Sequence, residues 1–269
     1  MTLTQSPTLT GTTVTCPITG IGTLRADADK LTKLRREPGA RAGKPFSPAF
    51  LKHSDDQTVA AVAVLAQTIA DLGWDNRSFH DWGVVAAPTL FGRFGNEAAL
   101  RRFISEGAWG ISPHMIPHHS LHAVAGTVSQ AWEIHGPNFG ISGGPGATSE
   151  AFLVAATMAS ENNLPGLWLV LTGFDPEYIP EKGTGKPIQT TTCLAAALAL
   201  TPDNLGDDLS CLHVGCDSQD ADEPTRSDFS LRALVNHLER KVTDGCRRWK
   251  LPGGCWLEFD WHTEAETQR

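Results

Sequence analysis

Apolar positions along this chain switch repeatedly between the two spacings that strands and helices impose, and the switching predicts a layered α/β architecture. Residues 13–24 are rich in β-branched side chains and end in Gly20-Ile21-Gly22, which predicts a buried first strand meeting a tight turn. Val59, Val62, Ala63, Ala66, Ile69 and Ala70 then recur at helical spacing behind Ser54-Asp55-Asp56-Gln57, which reads as a capping box, and Gly73 ends that helix. A short apolar strand at 82–87, a glycine-rich loop at 91–95 and a short helix at 97–104 follow. Pro113 and Pro117 predict a stiff, extended path through residues 111–117. Leu121, Val124, Ala125, Val128 and Trp132 share the face of the next helix, which Gly136-Pro137 stops. Residues 139–142 read as a strand, and residues 147–160 as a helix apolar nearly all round, as a helix buried in a large core would be. Further strands are expected at 167–173, 190–200, 210–216 and 254–261, with one amphipathic helix built on Phe229, Leu231, Leu234, Val235 and Leu238.

The turn between residues 139–142 and 147–160 is Ser142-Gly143-Gly144-Pro145-Gly146. A strand, a tight turn and a buried helix together form a nucleophile elbow, which lifts a reactive side chain to the head of a helix. No obvious nucleophile occupies the tip of this one.

Composition narrows the possibilities. The 269 residues suffice for one domain spanning 1–269, and 41% hydrophobic with 19% charged residues is ordinary for a globular protein. A net charge of −8 argues against a nucleic acid partner. The first residues lack a basic-then-apolar run and no window approaches the ~18 apolar residues of a membrane span, so a cytoplasmic protein is expected. The six cysteines form no Cys-x-x-Cys pair and read as reduced, structural thiols, with Cys211, His213 and Cys216 poorly spaced for zinc. Residues 25–52 carry eight Lys or Arg against three Asp or Glu, which reads as a solvated loop or as a docking patch for an acidic partner.

Several segments resemble, in order, the N-terminal half of a β-ketoacyl synthase of the thiolase fold. Ile18-Thr-Gly-Ile-Gly22 resembles that family's opening strand, Ser112-Pro-His-Met-Ile-Pro117 its Ser-Pro-aromatic-aromatic-x-Pro loop, and Ala123-Val-Ala-Gly126 falls where its Asn/Met-Ala-Ala-Gly helix lies. Gly136-Pro137-Asn138 matches the residues before its nucleophile strand. The resemblance covers residues 13–200 and implies the N-terminal half of a thiolase-like layered fold, a mixed sheet flanked by helices. Counted from Gly136-Pro137, the family's nucleophilic cysteine falls on Pro145, between Gly144 and Gly146. Proline offers neither a nucleophile nor the backbone N–H that the family uses in its oxyanion hole. The chain also ends before a second βαβ repeat that would carry the family's two histidines.

A truncated, nucleophile-free ketosynthase half is most similar to the short chain-length-factor subunits of bacterial polyene and aryl-polyene synthesis. That likeness implies a heterodimer with a ketosynthase, no cofactor of its own, and an acyl carrier protein whose phosphopantetheine arm approaches the partner's site. It also implies that His114, Met115 and Ile116 line the floor of the partner's acyl tunnel. Two readings from other classes stand beside it. One is a hydrolase or acyltransferase, using Ser142, Thr148 or Ser149, or a metal on His114, His118 and His122, of which His118 and His122 are spaced i, i+4; His119 lies in the same cluster, and the segment lacks a nearby carboxylate. The other is a homodimeric acyl-binding module. The glycine-rich turn reads as a plain tight turn or as a seat for a phosphopantetheine phosphate. Trp109, Trp132 and Trp168 are expected in the core or at an interface.

Overall fold

Fifteen residues of extended chain, strand β1 (Thr12–Ala26), tie the two halves of the protein together. A computed structural model describes residues 12–113, 115–141, 144, 146–161, 163–179, 181, 189–201, 210–216, 229–240 and 245–261. In chain order after β1 come α1 (Ala28–Arg36), β2 (Ala40–Arg41), β3 (Lys44–Pro45), α2 (Asp56–Asp71), β4 (Gly83–Pro88) and α3 (Arg93–Glu106). A 3-10 turn (Gly107–Gly110), α4 (Met115–His119), α5 (Ala123–Trp132), β5 (Asn138–Gly140) and α6 (Ala147–Glu161) follow. The remainder is β6 (Leu167–Asp175), β7 (Thr192–Leu200), β8 (Cys211–Cys216), α7 (Leu231–Glu239), β9 (Gly245–Lys250) and β10 (Cys255–Trp261).

Eight strands form one mixed sheet in the order β5-β4-β6-β7-β1-β8-β10-β9. The first half of β1 pairs antiparallel with β8, with Thr15 opposite His213, and the second half pairs antiparallel with β7, with Ile21 opposite Leu198. Strands β4, β5 and β6 run parallel to one another. The period of two along each strand then sorts the core. On β7, Ala195, Ala197 and Ala199 join one cluster with α2 and α5, whereas Leu194, Leu198 and Leu200 join a second cluster with α6 and α7. Helices therefore cover both faces, as the mixed-sheet expectation required.

The small side chains lie where the backbones approach most closely. Helix α2 buries eleven residues, and its Thr68 lies over Gly22 of β1. A Cβ at residue 22 would fall 1.8 Å from Thr68 Oγ1, so β1 passes this point only without a side chain. Gly22→Ala is expected to cost about 1–3 kcal/mol by chemical denaturation. Thr68→Ala in the same molecule should recover more than half of it, because the clashing atom is then gone. Additive losses in the double variant would contradict this packing.

Several expectations need correction. The basic segment is not a loop: Asp27 caps α1 by accepting from the Lys30 N–H, and β2 and β3 make a hairpin. Three of its cations are structural ties, Arg25 to Glu239, Arg35 to Asp56 and Arg41 to Glu133. The cap of α2 is Asp55 rather than Ser54, with the Asp55 carboxylate accepting the Gln57 N–H. The short helix expected at 97–104 extends to both sides and is capped by Gly92, whose positive φ of 73° suits a residue without a Cβ. The extended path expected at 111–117 is partly helical, because Pro117 is the third residue of α4, where a first-turn N–H has no helical partner to lose.

The cysteines are corrected as well. Cys216 and Cys255 face each other across β8 and β10 and form a disulfide, with Cα atoms 3.9 Å apart. Cys216 is thus removed from the zinc set with Cys211 and His213. Strand β9 was not expected at all. Its Gly-Cys-Arg-Arg-Trp-Lys pattern carries only one large apolar side chain, the buried Trp249, and three charges on a sheet edge. Among the described residues no helix is long and apolar enough to cross a membrane.

Candidate functional site

The elbow is assembled from β5 and α6. Strand β5 lies at the sheet edge beside β4, pairing Phe139 with Val85, and Ile141 donates its N–H to the Ala86 carbonyl at 2.7 Å. The chain then turns into α6, whose first-turn Thr148 and Ser149 are buried at 3% and 7% exposure. Ala147 N–H donates to the Gly144 carbonyl, and Glu150 N–H to that of Gly146. Gly144 has open space where a side chain would start, and a Cβ at Gly146 would meet only the Glu150 carboxylate at 3.4 Å. Ser142, Gly143 and Pro145 lie outside the described residues.

Of the three residues expected in the partner's tunnel, His114 lies outside the described residues, and only the backbone of Ile116 is described, in α4. Met115 lines a cavity of about 210 Å³ between α3 and α4 with His53, Ile111, Ser112, Arg102 and His119. The His119 ring fills the space beside Gly95, and burial, with His118 next to it, lowers the His119 pKa. His118 turns toward His53, ring centres 6.0 Å apart, while the His122 ring lies against Gly126. Among the described residues no three His, Cys, Asp or Glu side chains come together as metal ligands.

A larger cavity, about 270 Å³, opens at the carboxyl ends of the parallel strands β4 and β6, where α/β sheets place their ligands. Thr89, Gly173, Leu194 and Thr148 meet there, with the starts of α2, α3 and α7 around them. Thr148, a candidate substitute nucleophile, faces this cavity, but no histidine is among the described lining residues to act as its base. Gln57 is anchored, donating to the Thr89 carbonyl and accepting from Thr172 Oγ1. Arg93 pairs with Glu177 and Arg232 with Asp175 at the rim. Sequence spacing could not find this site, since its members come from segments as far apart as Asp55 and Arg232.

Two buried groups titrate in opposite senses. Burial raises Asp55 from 3.8 to about 6, against the Gln57 N–H bond that lowers it. Burial and the charges of Arg247 and Arg240 lower His237 from 6.5 to about 4, and its ring accepts a hydrogen bond from Trp261 Nε1 at 2.8 Å. Between those values the fold holds the Asp55 proton more tightly than the unfolded chain does, so the Asp55 contribution falls as pH rises from about 4 to 6. The fold holds the His237 proton less tightly, so that contribution is complete above the unfolded value and lost as pH falls toward 4. The two oppose, each by about 1–2 kcal/mol after solvent screening. The two contributions therefore offset each other in part across this window. Asp55→Asn, which keeps a cap, should leave a Tm that rises with pH, and His237→Leu one that falls. A Tm profile unchanged in shape by both variants would contradict the assignment.

No protein-family model matches the chain, and no curated protein matches it in sequence. Solved structures do resemble it. One chain of the complex of the ketosynthase ApeO with its chain length factor ApeC from Xenorhabdus doucetiae superposes with a TM-score of 0.55 at 12% identity, covering 92% of this chain and 99% of that one. A β-ketoacyl synthase from Burkholderia phymatum STM815 gives 0.52 at 16%, covering 85% and 70%, and the ishigamide ketosynthase/chain length factor 0.51 at 15%, covering 77% and 69%. The chain has the ketosynthase-like, thiolase-type α/β fold.

Proposed function

We propose that this chain, built on the ketosynthase fold, is a non-catalytic subunit that pairs with a β-ketoacyl synthase and limits the growth of its acyl chain. The observation that carries the reading is a set of large apolar side chains on α3, the 3-10 turn, the link to α5 and edge strand β5 that the described residues leave exposed. Trp109 is 98% exposed and Ile104 83%, with Leu100, Phe103, Leu121 and Phe139 each about half exposed or more. The residues between them are in contact. The His119 ring lies against Gly95 of α3, and a Cβ at Gly140 of β5 would lie 2.3 Å from the Leu121 carbonyl. A run of large apolar side chains ending on an edge strand marks a surface that another chain covers.

Two further points support the reading. Pro145 in the place of the family's cysteine removes nucleophile and oxyanion donor together. The fold also spans, end to end, one chain of a ketosynthase–chain length factor complex. In the paired state the loop bearing His114, Met115 and Ile116 lines the end of the partner's tunnel, where bulk excludes further two-carbon units. The carrier protein's arm reaches the partner, and this chain needs no cofactor.

Met115 tests the tunnel role separately from pairing. With a co-expressed ketosynthase, Met115→Ala should shift products toward longer chains and Met115→Trp toward shorter ones, read by mass spectrometry. An unchanged distribution with both variants, in complexes that still assemble, would remove Met115 from the tunnel.

A further inference from the structure

We propose that the cavity at the carboxyl ends of β4 and β6 binds a small uncharged molecule with an apolar body and a hydrogen-bond-donating head, an amide or an alcohol. The site goes beyond the pairing function and does not depend on it.

Its polar groups are of two kinds. Gln57 and the rim arginines are spent on protein partners. Thr89 Oγ1 is not, and Asp55 only in part. Thr89 Oγ1 is buried with no hydrogen-bond partner among the described residues. The Asp55 carboxylate accepts one bond, from the Gln57 N–H at 2.9 Å, out of roughly four that two carboxylate oxygens can take. A buried polar atom left unpartnered costs about 1–3 kcal/mol, and a ligand group that satisfies it recovers that cost. Leu90, Phe174, Leu194 and Leu231 supply apolar walls. About 270 Å³ is the space of roughly nine liquid waters, enough for a molecule of about that many heavy atoms.

Charge decides the head group. An anion would meet the Asp55 carboxylate, and a cation the first turns of α2, α3 and α7, whose positive dipole ends open on the cavity, while Arg93–Glu177 and Arg232–Asp175 neutralise each other at the rim. The start of α3 is the least screened, since its cap is Gly92 and no side chain covers it. A neutral donor is repelled by neither set. It gives its hydrogen to Asp55, and Thr89 Oγ1 can donate to its oxygen.

The test uses a series of matched chain length, pentanamide, pentanoate and pentylamine, titrated at neutral pH into the full chain and followed by amide NMR. Pentanamide should give saturable shifts centred on Thr89, Gly173 and Leu231, with the two charged molecules at least about tenfold weaker. Thr89→Val, which keeps the shape and removes only the unpartnered hydroxyl, should weaken pentanamide by about fivefold or more. Asp55→Asn, which preserves the helix cap, should weaken it too. Either charged molecule binding as tightly as pentanamide would overturn the proposal. So would shifts centred elsewhere, no saturation by about 20 mM, or binding indifferent to both substitutions in chains whose spectra show the native fold.

Discussion

Replacing Ile104 and Trp109 together by aspartate is expected to weaken association with a ketosynthase by about a thousandfold, roughly 4 kcal/mol. Both side chains stand free of this chain's own core, at 83% and 98% exposure, so their replacement removes nothing that holds the monomer together. The folded chain should keep its Tm, so that the loss belongs to the complex alone. Aromatic and large aliphatic anchors in a covered face each contribute about 2 kcal/mol or more, and a carboxylate buried there without a partner adds its desolvation cost. Isothermal titration with the co-purified partner reads the effect. An affinity within about threefold of wild type would place the interface elsewhere.

The largest loss of stability is expected at Trp168. This side chain is fully buried in β6, between β4 and β7, and sits among Trp74, Phe79 and Trp82 with ring centres 5.5–6.2 Å apart. The rings meet at inclined angles, and the Arg77 guanidinium lies 4.2 Å from the Trp74 ring centre and 4.8 Å from that of Trp82. Trp168→Ala leaves a cavity that the flanking strands cannot collapse into, because both pair with β6 at this point, Val84 and Ala199 standing opposite Trp168. The cost should be about 3–5 kcal/mol by denaturant titration, a large part of a domain's net stability. Trp168→Phe should restore more than half of it. A loss below about 1.5 kcal/mol for the alanine variant would mean that the ring cluster does not anchor the sheet.

Sequence patterning revealed those elements that bury long apolar runs or a periodic apolar face. The apolar run of β7, the nearly all-round apolar α6 and the valines and alanines of α2 each encode their neighbours, and the structure places all three as expected. Helix α1 escaped because only Leu31 is buried along it and its charges mask the period. Strand β9 escaped because three of its six residues are charged and Trp249 is its one buried side chain among those described. The disulfide depends on the register of β8 against β10, which the spacing of Cys216 and Cys255 does not contain. The elbow was legible as strand, turn and helix, whereas the larger cavity was not. Asp55 signals only a helix cap, Thr89 carries no pattern, and folding alone brings them to one place. Of the three tryptophans singled out, Trp132 and Trp168 are core and Trp109 lies on the open face.

If this chain works by pairing, the native mass of the co-expressed chains is that of a 1:1 complex with a ketosynthase, whose condensing activity is lost when the ketosynthase's own cysteine is replaced. This chain, purified alone, should form no acyl-enzyme. A stable homodimer that leaves the ketosynthase unbound, or an isolated chain that turns over acyl thioesters, would contradict this pairing.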